Sequence, residues 1–200
     1  MYQNHYFTGD STKEGILRAA LEIFATFGYK KTAMADISDL AGVSRPTLYK
    51  YFKNKEAIFF AVTEGIHNCV TTQVQLALES HDSLESNLTS AFKEWTRPFI
   101  EILFGLTHGQ ELIGAGSSIA ANVSENALGR FQNLLSNCLK KHEKNGDIDL
   151  SRINQNTQES AEYLILCLNG LSKGKTSEEI FMQRVSVLIG SFIASIACIK

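Results

Sequence analysis

Behind the capping box Ser11-Thr12-Lys13-Glu14, the residues Leu17, Ala20, Leu21, Phe24 and Phe27 recur at intervals of three and four and stop at Gly28, which predicts an amphipathic helix. A second, shorter helix is expected from about Ala33 to Ala41. Thr32 stands where an N-cap belongs, Asp36 lies near the positive end of the helix dipole, and Met34, Ile37 and Ala41 share one face. Gly42 supplies the left-handed turn that ends this helix, and Val43 fills the turn's interior. Ser44 then caps a third helix, where Pro46 is tolerated because first-turn N–H groups have no partner inside a helix. Leu48 and Phe52, four apart, form its inner face, so Arg45, Thr47, Tyr49, Lys50 and Tyr51 are left outside.

Helical patterning continues through the rest of the chain. Asn54 caps a helix that opens Lys55-Glu56-Ala57-Ile58-Phe59 and runs to about Ser80. His81-Asp82-Ser83 is a break, and Ser83 caps a segment to about Leu103 that Pro98 should kink or end. Gly105 to Ser118 holds four glycines and is expected to carry one short helix. Ser124 caps a helix with Ala127, Leu128, Phe131, Leu134, Leu135 and Cys138 on one face, closing with Lys140, Lys141, His142 and Lys144 before Gly146. Thr157 to Asn169 contains the run Tyr163 to Leu168, apolar on nearly every side. Thr176-Ser177-Glu178-Glu179 is a capping box opening a last helix with Phe181, Val185, Leu188, Phe192 and Ile196 along one strip. The pattern predicts an all-α protein. Residues 1–10 would be a flexible arm, 11–58 a three-helix helix-turn-helix domain, and 59–200 a larger helical bundle.

Composition adds that the chain is soluble and helix-rich, with two prolines and 20% charged residues. A net charge of −2 looks wrong for a nucleic-acid binder until its distribution is seen. Residues 1–60 carry eight Lys/Arg against six Asp/Glu, and residues 61–200 carry eleven against fifteen. A basic end on an acidic body is what localised contact with DNA requires, since phosphate attraction is short-ranged at cellular salt. Two helices joined by a tight glycine turn, the second basic and aromatic, is how a helix reaches a major groove. Arg45 and Thr47 are the candidates for base edges, Arg reading guanine and the Thr methyl reading thymine. Thr32, Ser44, Tyr49, Lys50, Tyr51 and Lys55 are the candidates for phosphates, Lys55 because it opens a helix whose N–H groups favour an anion.

Three blocks carry a family resemblance: Ile16 to Phe24 with Phe27-Gly28-Tyr29, Ala41 to Phe52, and Lys55-Glu56. In this order and spacing, residues 12–65 resemble the DNA-binding region of the TetR family of one-component bacterial transcription regulators. The resemblance implies an all-helical homodimer of roughly nine helices per chain, whose C-terminal region binds an effector that releases the DNA. Ser38 is a departure, standing where many such motifs place alanine, and is tolerable if its hydroxyl finds a backbone acceptor.

Surplus apolar surface on the last two helices predicts self-association through Leu164, Leu168, Phe181, Val185, Leu188, Phe192 and Ile196, which the resemblance makes a four-helix interface. An isologous dimer calls for a palindromic operator. Phe92, Trp95, Phe99, Phe104 and Phe131, with Met182, His108 and Gln110, are candidates to line a cavity for a small, mostly apolar or aromatic effector. The alternative is a DNA-binding dimer without a small effector, governed by a protein partner or by abundance. The five histidines lack a nucleophile or carboxylate at usable spacing, so no enzyme is expected. Cys69, Cys138, Cys167 and Cys198 lack metal-ligand spacing and read as free thiols, so neither metal nor cofactor is expected. No signal peptide opens the chain, and the fifteen apolar-rich residues from Val185 to Ile199 fall short of the roughly 20 that span a bilayer, so a cytoplasmic location is expected.

Overall fold

The computed structural model describes residues 6–80, 83–171 and 177–198, with the side chains of 103–105 and 178 outside the description. Within them run nine α-helices: α1 (Thr12–Phe27), α2 (Met34–Leu40), α3 (Arg45–Tyr51), α4 (Lys55–Glu79), α5 (Leu84–Gly105), α6 (Gly109–Ile119), α7 (Ala121–Lys144), α8 (Thr157–Leu171) and α9 (Glu178–Ile196). One 3-10 turn, Leu150–Ile153, was not expected; Asp149 caps it by accepting the Ser151 N–H at 3.0 Å, and Asn154 closes it with φ +53°.

Caps decide most boundaries. Ser11 accepts the Glu14 N–H at 3.2 Å, Asn54 the Ala57 N–H at 2.8 Å, Ser83 the Ser86 N–H at 3.2 Å and Ser177 the Ile180 N–H at 3.3 Å. Thr176, the expected opening of the last capping box, lies outside the described residues. At the end of α2, Gly42 at φ +66° turns the chain so that its N–H reaches the Asp39 carbonyl at 3.3 Å and the Val43 N–H reaches the Ser38 carbonyl at 3.0 Å. That is the Schellman pairing that satisfies a helix's last carbonyls. The Ser38 hydroxyl, buried, donates to the Ala35 carbonyl at 2.8 Å, which removes its cost.

Several expectations are corrected. Thr32 does not cap α2, because its hydroxyl is buried and donates to the Gly28 carbonyl at 2.7 Å; the Asp36 carboxylate reaches back to the Ala33 N–H at 2.8 Å instead. Ser124 does not cap α7, which begins three residues earlier with the Ala120 carbonyl accepting the Val123 and Ser124 N–H groups. Pro98 sits inside α5 without ending it: one N–H is lost, while Phe92, Thr96 and Ile100 remain buried along the helix. Phe27, assigned to the inner stripe of α1, is 56% exposed because the stripe has rotated past the core by the last turn. The N-terminal segment is no free arm from Tyr6 onward. Tyr6 and Phe7 are buried, Tyr6 donates to Glu101 at 2.8 Å, and the Arg18 guanidinium holds the Phe7 and Gly9 carbonyls at 3.0 and 2.7 Å. A Cβ at Gly65 would collide with the Phe7 ring, so glycine makes room for this strap.

Contacts divide the chain into two compact units. The first takes the chain up to Cys69 together with Arg97–Ala127, and the second takes Val70–Thr96 and everything from Leu128 on. Helix α6 and the C-terminal part of α5 therefore belong with the helix-turn-helix, and a boundary at 58/59 falls inside α4. The first unit packs Ile16, Leu21, Phe24, Ile37, Leu48, Ile58 and Phe59 in its core, with the Phe24, Tyr29 and Phe59 rings 4.9 to 5.6 Å apart. The second packs Phe92, Phe131, Leu135, Leu139, Leu150, Leu164 and Val185, and an antiparallel bridge joins Ile148 to Ala197.

Candidate nucleic-acid interface

Helix α3 sorts its residues by side. Leu48 is fully buried and Phe52, its C-cap, nearly so, which anchors the helix to the first unit; truncating Leu48 to Ala should cost about 2–5 kcal/mol. Arg45, Tyr49, Lys50 and Tyr51 are exposed, as are Lys31 and Lys53 near the two ends of the motif. The outer surface thus offers cations and two phenol rings, a set suited to phosphates and base edges. Ser44 accepts the Thr47 N–H at 3.2 Å, and the two hydroxyls lie 2.8 Å apart. Both are engaged with each other, so Thr47 has its methyl to offer a base, and Ser44 serves first as a cap.

Lys55 and Thr32 do something other than expected. The Lys55 ammonium donates to the carbonyls of Tyr29, Lys30 and Thr32 at 2.7, 3.2 and 2.7 Å and lies 4.5 Å above the Tyr29 ring. An ammonium has three protons, and all three are used. Lys55 therefore clamps the α1–α2 turn, and as a direct phosphate donor it is corrected. A cation at a helix N-terminus opposes the dipole, and that mismatch was the available sign of a compensating partner. Thr32, with its hydroxyl buried, is likewise withdrawn as a side-chain phosphate contact. The same turn is held from α6. The Glu111 carboxylate accepts the Lys30 N–H at 2.7 Å, and its other oxygen would be 2.7 Å from a Cβ at Gly28, whose φ of +82° independently favours glycine. His108 lies 3.9 Å from Glu111. Burial, and then the charge of Glu56, pushes the Tyr29 phenol above its ordinary pKa.

The aromatic residues expected to line one cavity are divided between the two units. Phe92 and Phe131 are buried in the second unit, where Trp95 stacks on Phe131 at 4.4 Å. Met182 belongs to the second unit, Gln110 is exposed on α6, and the Phe104 side chain lies outside the described residues. Of the described side chains in the set, Phe99 alone lines a cavity within the first unit, a partly open space of about 240 Å³. Leu21 and Phe24 of α1, Phe59, Val62, Thr63, Ile66 and His67 of α4, Pro98 and Ile102 of α5, Leu112, Ile113, Gly116 and Ser117 of α6, and Ser124 of α7 complete its wall. His67 Nε2 and Ser124 Oγ face each other at 3.2 Å. No sequence pattern could pair residues 57 positions apart.

The strip chosen for self-association is also corrected. Leu164, Leu168, Phe181, Val185, Phe192 and Ile196 are buried within their own unit and Leu188 partly so, hence they are not available to a second chain. The exposed apolar residues of α8 and α9 are Tyr163, Leu166, Ile180 and Val187, which recur at helical intervals on the opposite faces. Helix α9 is long and apolar enough to cross a membrane by length and composition, longer than the run expected from sequence. It is nonetheless two-sided, with Phe181, Val185, Ile189, Phe192 and Ile196 packed inward and Gln183, Arg184, Ser186, Ser191 and Ser195 exposed. Among the described residues, no group of three or more His, Cys, Asp or Glu could hold a metal ion.

Residues 16–62 match the family model described as bacterial regulatory proteins, tetR family. Over 90 residues the chain is 36% identical to the HTH-type transcriptional regulator RutR of Escherichia coli (strain K12), a match that covers 45% of this chain and 40% of that protein. A transcriptional regulator from Cytophaga hutchinsonii ATCC 33406 superposes with a TM-score of 0.74 at 20% identity, covering 94% of this chain and all of that one. SmeT, the repressor of the Stenotrophomonas maltophilia multidrug efflux pump SmeDEF, superposes with a TM-score of 0.65 at 17% identity over 94% of this chain and 92% of that one, and SmeT is also known in complex with triclosan. At such identities the structural likeness carries the fold, while the matched sequence carries the helix-turn-helix. By residues 16–62 the chain carries a helix-turn-helix region that matches the tetR family model, and in its all-helical fold it is similar to solved TetR-family regulators.

Proposed function

We propose that the protein is a homodimeric, cytoplasmic, one-component repressor that binds a palindromic operator through α3 and lets go when a small, mostly apolar effector enters the cavity of the first unit. The observation that carries this reading is the joint one of an exposed basic and aromatic α3 and a cavity walled partly by α1 and α6 of the same unit. On this reading residues 11–58 contact DNA, and the rest of the chain supplies effector binding and dimerisation through Tyr163, Leu166, Ile180 and Val187. Arg45 and the Thr47 methyl meet base edges, while Tyr49, Lys50, Tyr51, Lys31 and Lys53 hold phosphates and fix register.

Release follows from how the α1–α2 turn is held. Glu111 sits beside Leu112 and Ile113, two cavity-wall residues, and pins the Lys30 N–H. An effector wedged against α6 moves the Glu111 carboxylate relative to that turn and so tilts the helix pair that α3 belongs to. The relation of SmeT to a repressor role and to triclosan supports the same reading for this chain. The test is to select DNA from a random pool with the purified protein, with and without cell extract. A palindromic consensus whose recovery falls when the protein-free small-molecule fraction of the extract is added supports both halves; a palindrome whose recovery responds to whole extract alone, or to neither, supports the effector-free alternative. Lys50→Ala should weaken binding to all sequences alike and lower the salt slope by about 1. A changed base preference with an intact slope would overturn the phosphate assignment.

A further inference from the structure

We infer that the cavity of the first unit takes a neutral, largely apolar molecule bearing one hydroxyl group, which His67 and Ser124 recognise as a pair. This deepens, and rests on, the reading of that cavity as the effector site. Of the polar side chains in the wall, Thr63 donates to the Phe59 carbonyl at 3.0 Å and Ser117 to the Ile113 carbonyl at 3.0 Å, so each is spent on its own helix. His67 and Ser124 also meet each other. Their bond at 3.2 Å joins two side chains, one from α4 and one from α7, across the wall of the cavity. A hydroxyl is both donor and acceptor, as are Ser124 and a neutral imidazole between its two nitrogens, so a ligand hydroxyl can insert into this bond and replace what it breaks.

Charge narrows the class further. Among the described residues, no Lys, Arg, Asp or Glu lines the cavity. An ammonium would lose its hydration with no anion to meet it, at a steep cost, and a carboxylate would find a cation there only by protonating His67. Thirteen of the fifteen wall residues therefore face the ligand with carbon or with hydroxyls already bonded to backbone, and two face it with exchangeable hydrogen bonds. The volume of about 240 Å³ equals about eight waters at roughly 30 Å³ each, room for one ring and a short chain. Phe24, Phe59 and Phe99 in the wall suit a ring.

The experiment uses the full-length protein and four probes of one shape: 4-phenyl-1-butanol, butylbenzene, 4-phenylbutyrate and 4-phenylbutylammonium. Binding is measured by calorimetry, and release by displacement of the selected operator, for the wild type and for Ser124→Ala and His67→Leu. The alcohol is expected to bind about fivefold to tenfold more tightly than butylbenzene, with the two ions weakest. In both variants that advantage should shrink to about twofold or less while butylbenzene affinity stays within about twofold, which also shows that the cavity has kept its shape. Equal binding of alcohol and hydrocarbon in the wild type, tighter binding of either ion, or an advantage that survives both variants overturns the inference. If the alcohol binds with the expected preference but leaves the operator bound, the inference stands and the effector reading fails. If no probe binds, both fail.

Discussion

Replacing Lys55 by Met separates a clamp from a phosphate contact. The substitution keeps the aliphatic stem and removes three charge-assisted donations, to the Tyr29, Lys30 and Thr32 carbonyls, together with the cation over the Tyr29 ring. Charge-assisted bonds are each worth about 1.5–3 kcal/mol when fully buried, and an exposed cation–π contact about 0.5–1. Lys55 is only partly buried and water can re-hydrate the freed carbonyls, so the four contacts do not add; a net loss of about 2–3 kcal/mol is expected. At about 2–4 °C per kcal/mol for a chain of this size, the melting temperature should fall by roughly 4–12 °C. Lys55→Arg should not restore it, because a planar fork cannot converge on three carbonyls as an ammonium does. Thermal and urea unfolding give the stability, and operator titration at several salt concentrations gives the number of phosphates met. A Lys55→Met protein as stable as the wild type, with a salt slope lowered by about 1, would refute the clamp and reinstate Lys55 as a phosphate donor.

Three further outcomes are expected. Glu111→Ala should leave effector affinity within about twofold but cut the coupling between effector and operator, ordinarily 5–150-fold in such systems, to less than about fivefold; unchanged coupling in paired titrations excludes Glu111 as the link. Leu166→Asp and Val187→Asp, at positions 62% and 64% exposed in the single chain, should change folding stability by no more than about 0.5 kcal/mol yet yield monomers in sedimentation velocity, whereas dimers that persist would refute the assigned face. Burial pushes the Cys138 thiol above its ordinary value, the charge of Lys141 opposing this weakly. The folded state therefore keeps a proton that the unfolded state sheds from about pH 8.5 upward, so this contribution is full below that range and is lost as pH rises toward the folded value. Unfolding free energies between pH 7.5 and 9.5 should show a downward slope that Cys138→Ala flattens, and an unchanged slope would show that the thiol ionises freely in the folded chain.

What the sequence determined by itself was local. The caps at Ser11, Ser44, Asn54 and Ser83, the Schellman turn at Gly42, and the split of α3 into a buried Leu48 and an exposed Arg45, Tyr49, Lys50 and Tyr51 all depend on residues within one or two helical turns. Such interactions are encoded by spacing, and spacing is visible in a string. Tertiary structure decided everything that depends on which segments meet. An apolar stripe says that a helix has an inner face but not whether that face meets its own chain or another, so Leu164, Phe181 and Val185 read as interface and proved to be core, while Leu166 and Val187 were left outside. The same ambiguity holds for Phe92, Trp95 and Phe131, whose rings pack on one another in a way that no spacing announced. Lys55 and the turn at Tyr29 are about two dozen positions apart, Glu111 and Lys30 are 81 apart, and His67 and Ser124 are 57 apart. No periodicity links such pairs, because their geometry exists only once several helices have packed, and it is these pairs that hold the turn and furnish the cavity.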